Sequence, residues 1–312
     1  DYGKNFVQLH NHTHYSLLDG ASKIPDLAKR AAELEMPAVG ITDHGNMHGA
    51  YEMYTNCVAN GVKPIIGIEA YVTPETARQD KSRVHWGTEA QRRDDVSGGG
   101  LITHLTMWAE NDEGLVNLIK ASSVANLEGR VMRYPRMDKE VLSTYSKGVI
   151  ASSGCPSGII QTRLRLGQFD EALRAAGEFQ DIFGKDNFFI ELMDHGLTIE
   201  NQVTDDLLTI AKKLDAPLLA TNDSHYVHAE DAGAQDAMLC INSGSRLDDP
   251  DRFKFDGTGY YIKTAEEMRE LFKDHPDACD NTLLIAERCN VMFDDHEDGA
   301  FMPQFPCPEG WD

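Results

Sequence analysis

The feature that most constrains this chain is a rhythm. Seven short apolar runs recur along it, each bounded by Gly, Pro, Asn or Asp, with helical stretches between them. The runs cover residues 6–10 (FVQLH), 38–42 (AVGIT), 63–69 (KPIIGIE), 101–109 (LITHLTMWA), 148–152 (GVIAS), 187–192 (NFFIEL) and 216–221 (APLLAT). Runs this short and β-rich read as buried strands. Between them, Ile24, Leu27, Ala28, Ala31 and Leu34 recur at helical spacing after a cap-like Ser22. Residues 169–183 stop at Gly184, a usual helix terminator, and residues 199–214 repeat the pattern ahead of Pro217. Strands alternating with helices imply a parallel sheet. Seven such units imply closure into a distorted α/β barrel of the TIM-like (β/α)7 type, with an open doubly wound sheet as runner-up.

The rhythm stops after Tyr226. We expect the barrel to occupy residues 1–228, a helical extension packing on it to occupy 229–300, and a Pro-rich linker to occupy 301–312. A polar insert at 73–100 interrupts the barrel. It carries Arg78, Lys81, Arg83, Arg92 and Arg93 and is expected to be a solvated surface loop.

A chain of 312 residues, 41% hydrophobic, can bury a full core. No stretch is long and apolar enough to span a membrane, and the first residues do not resemble a secretory signal. The six cysteines contain no CxxC pair, so reduced thiols in a cytoplasmic protein are expected rather than a disulfide framework. The net charge of -22 argues against a general nucleic-acid-binding module with a basic face. It is compatible with one if bound divalent cations cancel carboxylates locally, or if basic surfaces lie elsewhere in a larger protein.

The chemistry sits where the runs end. The first leads into His10-Asn11-His12; residues i and i+2 of an extended chain point the same way, so both imidazoles can face one ion. Asp19 follows in LLDG, the second run ends in Thr42-Asp43-His44-Gly45, and the third ends at Glu69. The fourth carries His104, Cys155 follows the fifth, and Asp223 and His225 follow the seventh. In a parallel barrel the C-terminal strand ends converge on one face, which gathers these groups into one pocket. Singly, His104 reads as a core histidine, Cys155 as buried filler and Asp223 as a turn former. Together those readings require a coincidence at most strand ends. His14, His48, His85 and His195 fall outside the pattern and are read as surface or supporting groups. Glu191 is read either as support for the site or as a buried salt-bridged carboxylate.

Rival chemistries lack their motifs. There is no GxxxxGK[ST] phosphate loop, no GxGxxG and no GxSxG elbow, and the spacing from Cys155 to Arg163 is too long for a cysteine-phosphatase loop. Histidines, carboxylates and one thiolate favour zinc, with manganese or iron as alternatives. Closely spaced divalent ions make water acidic and neutralise phosphoryl oxygens.

HNH with LLDGA, ITDHGN, KPIIGIEAYV, SGCPSG and TNDSHY, in this order, resemble the PHP (polymerase and histidinol phosphatase) domain family. The resemblance is to the form at the N-terminus of bacterial C-family replicative DNA polymerase alpha subunits. It covers nearly the whole chain, including GYYIKTAEEM and PEG. It implies a distorted seven-stranded barrel holding roughly two to three divalent ions. The family ligands fall on His10, His12, Asp19, His44, Glu69, His104, Cys155, Asp223 and His225, with His10, His12, Glu69 and Asp223 at the catalytic core. It implies 3′→5′ proofreading exonuclease activity on single-stranded or frayed DNA 3′ ends. Its implied partners are the remainder of the polymerase alpha subunit, the sliding clamp and other replisome subunits. The palm, fingers and thumb that polymerise DNA are absent from this chain. One alternative is a structural metal domain that stabilises the polymerase without nuclease activity. Another is a free-standing small-molecule phosphoesterase, against which the C-terminal linker counts.

Overall fold

Residues 5–91, 98–293 and 305–310 are described in a computed structural model; Arg92, Arg93, the last residues of the expected helical extension (294–300) and half of the expected linker lie outside the described residues. The strands are β1 (Ala38–Ile41), β2 (Lys63–Val72), β3 (Thr103–Ala109), β4 (Arg136–Met137), β5 (Val149–Ser152), β6 (Phe188–Leu192) and β7 (Leu218–Ala220). The helices in the barrel rhythm are α1 (Ile24–Glu33), α2 (Ala50–Ala59), α3 (Asp112–Glu128), α4 (Lys139–Thr144), α5 (Ile159–Arg165), α6 (Phe169–Phe183) and α7 (Thr198–Leu214). They are followed by α8 (Ala232–Ser243), α9 (Ala265–Leu271) and α10 (Pro276–Arg288). The sheet order is β1-β2-β3-β5-β6-β7, with β4 beside β2.

The first apolar run makes single bridges instead of a regular strand. Gln8 pairs with Val39 and Asn11 with Ser224, both parallel. Gly40 N donates to Gln8 O at 2.8 Å and His12 N to Ser224 O at 2.8 Å. This segment divides its backbone bonds between β1 and the chain leaving β7, and so closes the sheet into a distorted barrel. Ser22 is no helix cap: it pairs with Thr13, and α1 starts after Lys23 with a proline in its first turn.

The sheet is mixed, not parallel throughout. β3 runs antiparallel to both β2 and β5, while the other pairings are parallel. The cause is the 73–100 insert, which among its described residues holds only short 3-10 turns. A parallel neighbour needs a crossover helix; a chain that returns directly beside its own strand runs antiparallel. The reversal matters for chemistry. His104 stands at the start of β3, which reversal brings to the end of the barrel where Glu69 lies.

Side chains alternate between two cores, as the strand period dictates. The helix-facing core takes Ile66, Ile68, Leu105 and Met107, among others. The barrel interior holds Val7, Leu9, Ala38, Ile65, Trp108, Ile150, Phe189 and Leu219. Trp108 fits because Gly67 stands opposite; a Cβ there would lie 2.8 Å from the indole and 2.3 Å from Met107 O. Leu283, Ile285, Ala286 and Cys289 of the α10 region complete this interior cluster. The helix is fixed across the strand starts: Asn281 Nδ2 donates to Leu218 O at 2.7 Å, Val7 N to Thr282 Oγ1 at 3.1 Å and Lys63 Nζ to Ala286 O at 2.6 Å. α10 therefore plugs one end of the barrel and leaves the other end open.

The insert is largely exposed but anchored. Arg136, fully buried, donates to the carbonyls of Gly129, Leu101, Arg78 and Asp80. Its guanidinium holds these loops by geometry, as a planar fork can. Arg136→Met should leave carbonyls unmet and destabilise the protein by roughly 3 kcal/mol. Urea denaturation measures this, and a change under about 0.5 kcal/mol would show the anchor to be dispensable. All six cysteines are free, with Cys307 exposed and the others buried. No helix among the described residues is long and apolar enough to cross a membrane.

Candidate metal centre

The open end is built on the His10-Asn11-His12 segment. Asn11 clamps the backbone, with Nδ2 donating to Gln8 O at 2.8 Å and Gly40 O at 2.9 Å. His10 and His12, on the opposite side, are fully buried. Each is oriented through Nδ1. His10 Nδ1 lies 2.6 Å from Glu191 Oε1, and Glu191 is held in turn by the hydroxyls of Ser152 and Thr221. His12 Nδ1 donates to Ser16 Oγ at 2.8 Å, because that hydroxyl gives its own proton to Asp43 at 2.7 Å. His225 Nδ1 donates to the Asp223 carbonyl at 2.7 Å. A donating Nδ1 leaves Nε2 with a lone pair directed at the centre, the orientation a metal ligand requires. His44 is reversed: its Nε2 lies 2.6 Å from Asp19 Oδ2, and Nδ1 faces inward.

Glu69 is the hub. Its Oε2 lies 2.8 Å from His12 Nε2, 3.4 Å from His10 Nε2 and 3.2 Å from His44 Nδ1. Its Oε1 lies 2.9 Å from His104 Nδ1 and 3.1 Å from Cys155 Sγ. Asp223 Oδ1 lies 3.0 Å from His12 Nε2 and 3.2 Å from His10 Nε2. Three ligand-type groups overlap here: His12, His44 and His225; His10, His12, Glu69 and Asp223; and His44, Glu69 and His104. Asp19 and Cys155 stand outside these three but touch them, Asp19 Oδ2 at 3.2 Å from His225 Nε2 and Cys155 Sγ at 3.3 Å from His104 Nδ1. All nine sequence-selected residues thus meet at one mouth.

Whether this donor set fits metal ions can be read from its unmet atoms. His10 Nε2, His12 Nε2, His44 Nδ1, Glu69 Oε2 and Asp223 Oδ1 are buried and make no hydrogen bond. They lie within a few ångströms of one another, and none forms a hydrogen bond. Buried polar atoms without partners are costly, and cations among them would satisfy all five. Imidazole, carboxylate and thiol donors suit such ions.

The electrostatics agree. Burial opposes the charged form of His10, yet Glu191, Asp223 and Glu69 hold its pKa well above the ordinary value. Burial likewise opposes charge on His44 and His225, and Glu69 and Asp19 respectively reverse it. Asp19, Glu69 and Asp223 are held low against burial, chiefly by His225, His104 and His10 in that order. Burial, then Glu69, pushes the Cys155 thiol up. Protons on the imidazoles balance the carboxylates here, and a metal ion would displace them.

Asp43, Ser16, Ser152 and Thr221 were not marked by sequence, since each reads alone as a turn or strand residue. Glu191→Gln should weaken metal affinity about 10–100-fold without unfolding the barrel, since Glu191 orients His10 and the Ser152 and Thr221 hydroxyls can turn to serve the amide. Competition with a fluorescent chelator measures this; unchanged affinity would remove Glu191 from the site. A cavity of about 780 Å³ opens above the cluster, and Asp19, His44, Glu69, His104, Cys155, Asp223 and His225 line it. His48 and His195 line it as well, outside the three groups. No described residue of the 73–100 insert does.

A distorted α/β barrel with clustered histidines and carboxylates at one mouth is a fold of the metal-dependent hydrolase type. The chain belongs to the PHP domain family, whose model matches residues 8–195; Asp223 and His225 lie beyond that span. It is similar to the DNA polymerase III subunit alpha of Mycobacterium tuberculosis (strain ATCC 25618 / H37Rv), 54% identical over 99% of this chain and 26% of that protein. The DNA polymerase III subunit alpha of Saccharopolyspora erythraea is 57% identical over 91% of this chain and 24% of that protein. The chain spans about a quarter of the length of the curated relatives it matches. Among solved structures, an amidohydrolase from Chromobacterium violaceum aligns at 14% identity and a TM-score of 0.42, covering 70% of this chain and 87% of that one.

Proposed function

We propose that the chain is the PHP region of a DNA polymerase III alpha subunit and that it removes nucleotides from DNA 3′ ends as a 3′→5′ proofreading exonuclease. The observation that carries this reading is the set of five unmet donor atoms converging around Glu69 and Asp223. His10, His12, Asp19, His44, Glu69, His104, Cys155, Asp223 and His225 would hold roughly two to three divalent ions, zinc first by donor type. Bound ions would supply Lewis acidity toward a phosphoryl group and make water a nucleophile near neutral pH. The protein's own part is positional. Glu191, Ser16 and the Asp223 carbonyl fix three imidazoles, and Glu69 presents both oxygens to different neighbours. Glu69 and Asp223 line the cavity, with His10 and His12 buried against them; in this reading the cavity admits a single strand end but not an intact duplex. In this reading residues 1–228 are the barrel, 229–300 its helical extension and 301–312 a linker to the rest of a cytoplasmic polymerase. The remaining alpha subunit, the sliding clamp and other replisome subunits are its partners.

The test combines two measurements on the chain purified without chelator. Elemental analysis should give roughly two to three ions per chain. Gels of end-labelled oligonucleotides should show mononucleotides leaving the 3′ end, fastest from single-stranded or frayed ends. Cleavage from the 5′ end or internally would contradict the assignment. Metal-loaded protein that releases nothing would favour a purely structural metal domain.

A further inference from the structure

Beyond the metal cluster, the cavity has two walls that the chemistry above does not use. On one, the Arg133 guanidinium lies 5.3 Å over the Tyr134 ring and donates to Asn242 Oδ1 at 2.9 Å. The Tyr134 ring stands 5.0 Å from Tyr71, and Tyr71 stands 6.0 Å from His44. On the other wall, Phe253 meets Phe255 at 6.1 Å, and Phe255 meets His225 at 4.6 Å. Two aromatic ladders thus descend from the rim to the cluster. Phe253 keeps 61% of its surface exposed.

Arg130 and Lys254 join Arg133 at this rim, all three exposed. Among the described residues none of them pairs with a carboxylate; Arg130 Nε reaches only Met132 O at 3.3 Å. In a chain with 51 acidic and 29 basic side chains, three cations at one rim with no carboxylate in ion-pair contact stand out, with Asp19 and Asp236 acting on Arg133 and Lys254 only at longer range. Asp256 lines the same cavity yet binds none of them. Cations without a contacting carboxylate beside the exposed ring of Phe253 match one ligand chemistry, a single-stranded nucleic acid: phosphates take the cations and a base stacks on the ring.

We propose that Arg133, Arg130 and Lys254 form a backbone-phosphate subsite and Phe253 a base-stacking platform, which together lead a single strand into the cavity. Arg133 is preorganised, because the Tyr134 ring and Asn242 Oδ1 both hold it, and so it loses little freedom on binding. This inference rests on the hydrolytic reading of the cluster only for the direction in which the strand runs.

The test is binding of a fluorescent oligodeoxythymidylate whose 3′ linkages are phosphorothioate and resist hydrolysis, using the full metal-loaded chain across a salt series. The combined Arg130→Ala, Arg133→Ala and Lys254→Ala variant should flatten the slope of log affinity against log salt by about 2, at ~0.7 per phosphate contact. Phe253→Ala should weaken binding about tenfold or more and leave the salt slope alone. Lys29→Ala, on an exposed ion pair of α1 with Glu33, serves as the control and should bind as wild type. Unchanged slope in the triple variant overturns the phosphate subsite, and unchanged affinity in Phe253→Ala overturns the platform. Lost affinity in either variant with a fallen melting temperature is repeated with Arg133→Lys and Phe253→Trp. Those must restore most of the binding, or the subsite is wrong. Wild-type protein that binds the strand through these residues but releases no nucleotide from an ordinary oligonucleotide would sink the hydrolytic reading and leave this one standing.

Discussion

Asp223→Asn should lower nucleotide release by two or more orders of magnitude while the barrel stays folded, on the scale of losing one charge-stabilising group at a metal site. Asp223 Oδ1 is buried, makes no hydrogen bond and faces two imidazole nitrogens. The substitution keeps the shape and removes the charge. It also keeps the backbone at ease, because Asp223 sits at φ 46 and Asn tolerates the left-handed region as well as Asp does. A loss of activity therefore cannot be assigned to a strained turn. Activity, metal content and melting temperature are measured on one preparation. Full activity in a variant confirmed to lack one ion would end the catalytic assignment. A collapsed melting temperature, with wild type inactive too, would make the cluster a folding element, since its binding energy is then folding energy.

Stripping the ions should reverse how stability responds to pH. In the metal-free protein His10, His44 and His225 hold protons more tightly than the unfolded chain does. Their contribution is complete below about pH 6.5, the unfolded value, and is lost as pH rises through the raised folded values. Asp19, Glu69 and Asp223 are displaced the other way. Their contribution is present above about pH 4 and is lost as pH falls through the depressed values. The metal-free optimum thus lies between about pH 4 and pH 6.5. Loaded protein should instead gain as pH rises, because ions bind deprotonated imidazoles. At about pH 8, ions at a thousand times Kd should add about 4 kcal/mol. Urea denaturation at about pH 5.5 and about pH 8, with and without chelator, measures both limbs. Metal-free protein equally stable at the two values would refute the charge balance drawn for the cluster.

The candidate ligands could be picked out in the sequence because the end of an apolar run is a local property. An apolar run that stops at His, Asp or Glu announces both the strand and the group it presents, so His10, His12, Glu69 and Asp223 could be picked out one run at a time. Helix limits were local too, as Gly184 ending α6 at φ 99 illustrates. Strand direction was not local. Nothing in LITHLTMWA tells β3 from its parallel neighbours, and only the missing crossover in the insert decides it. His104 was therefore chosen on a parallel argument, although an antiparallel strand delivers it. The Ser16–Asp43 link to His12 was hidden for a related reason. A hydroxyl and a carboxylate 27 residues apart carry no pattern until the barrel brings them together. Arg136 and the α10 plug depend in the same way on contacts that no window of sequence contains.

That plug bears on how the chain comes into being. Val7 N and Thr282 Oγ1 are bonded across 275 residues, and Gln8 Nε2 reaches Lys263 O across 255. The first apolar run therefore waits for almost the last helix before its own neighbours are complete. At bacterial synthesis rates this delay on the ribosome is roughly 15–60 s. Meanwhile Ile65, Trp108, Ile150 and Phe189, which line the finished interior, have been made without the helix that seals them. Closure over such a separation is slow, and the half-built barrel is an aggregation hazard. A gene fragment cut short of α10 should therefore yield inclusion bodies rather than a smaller folded protein.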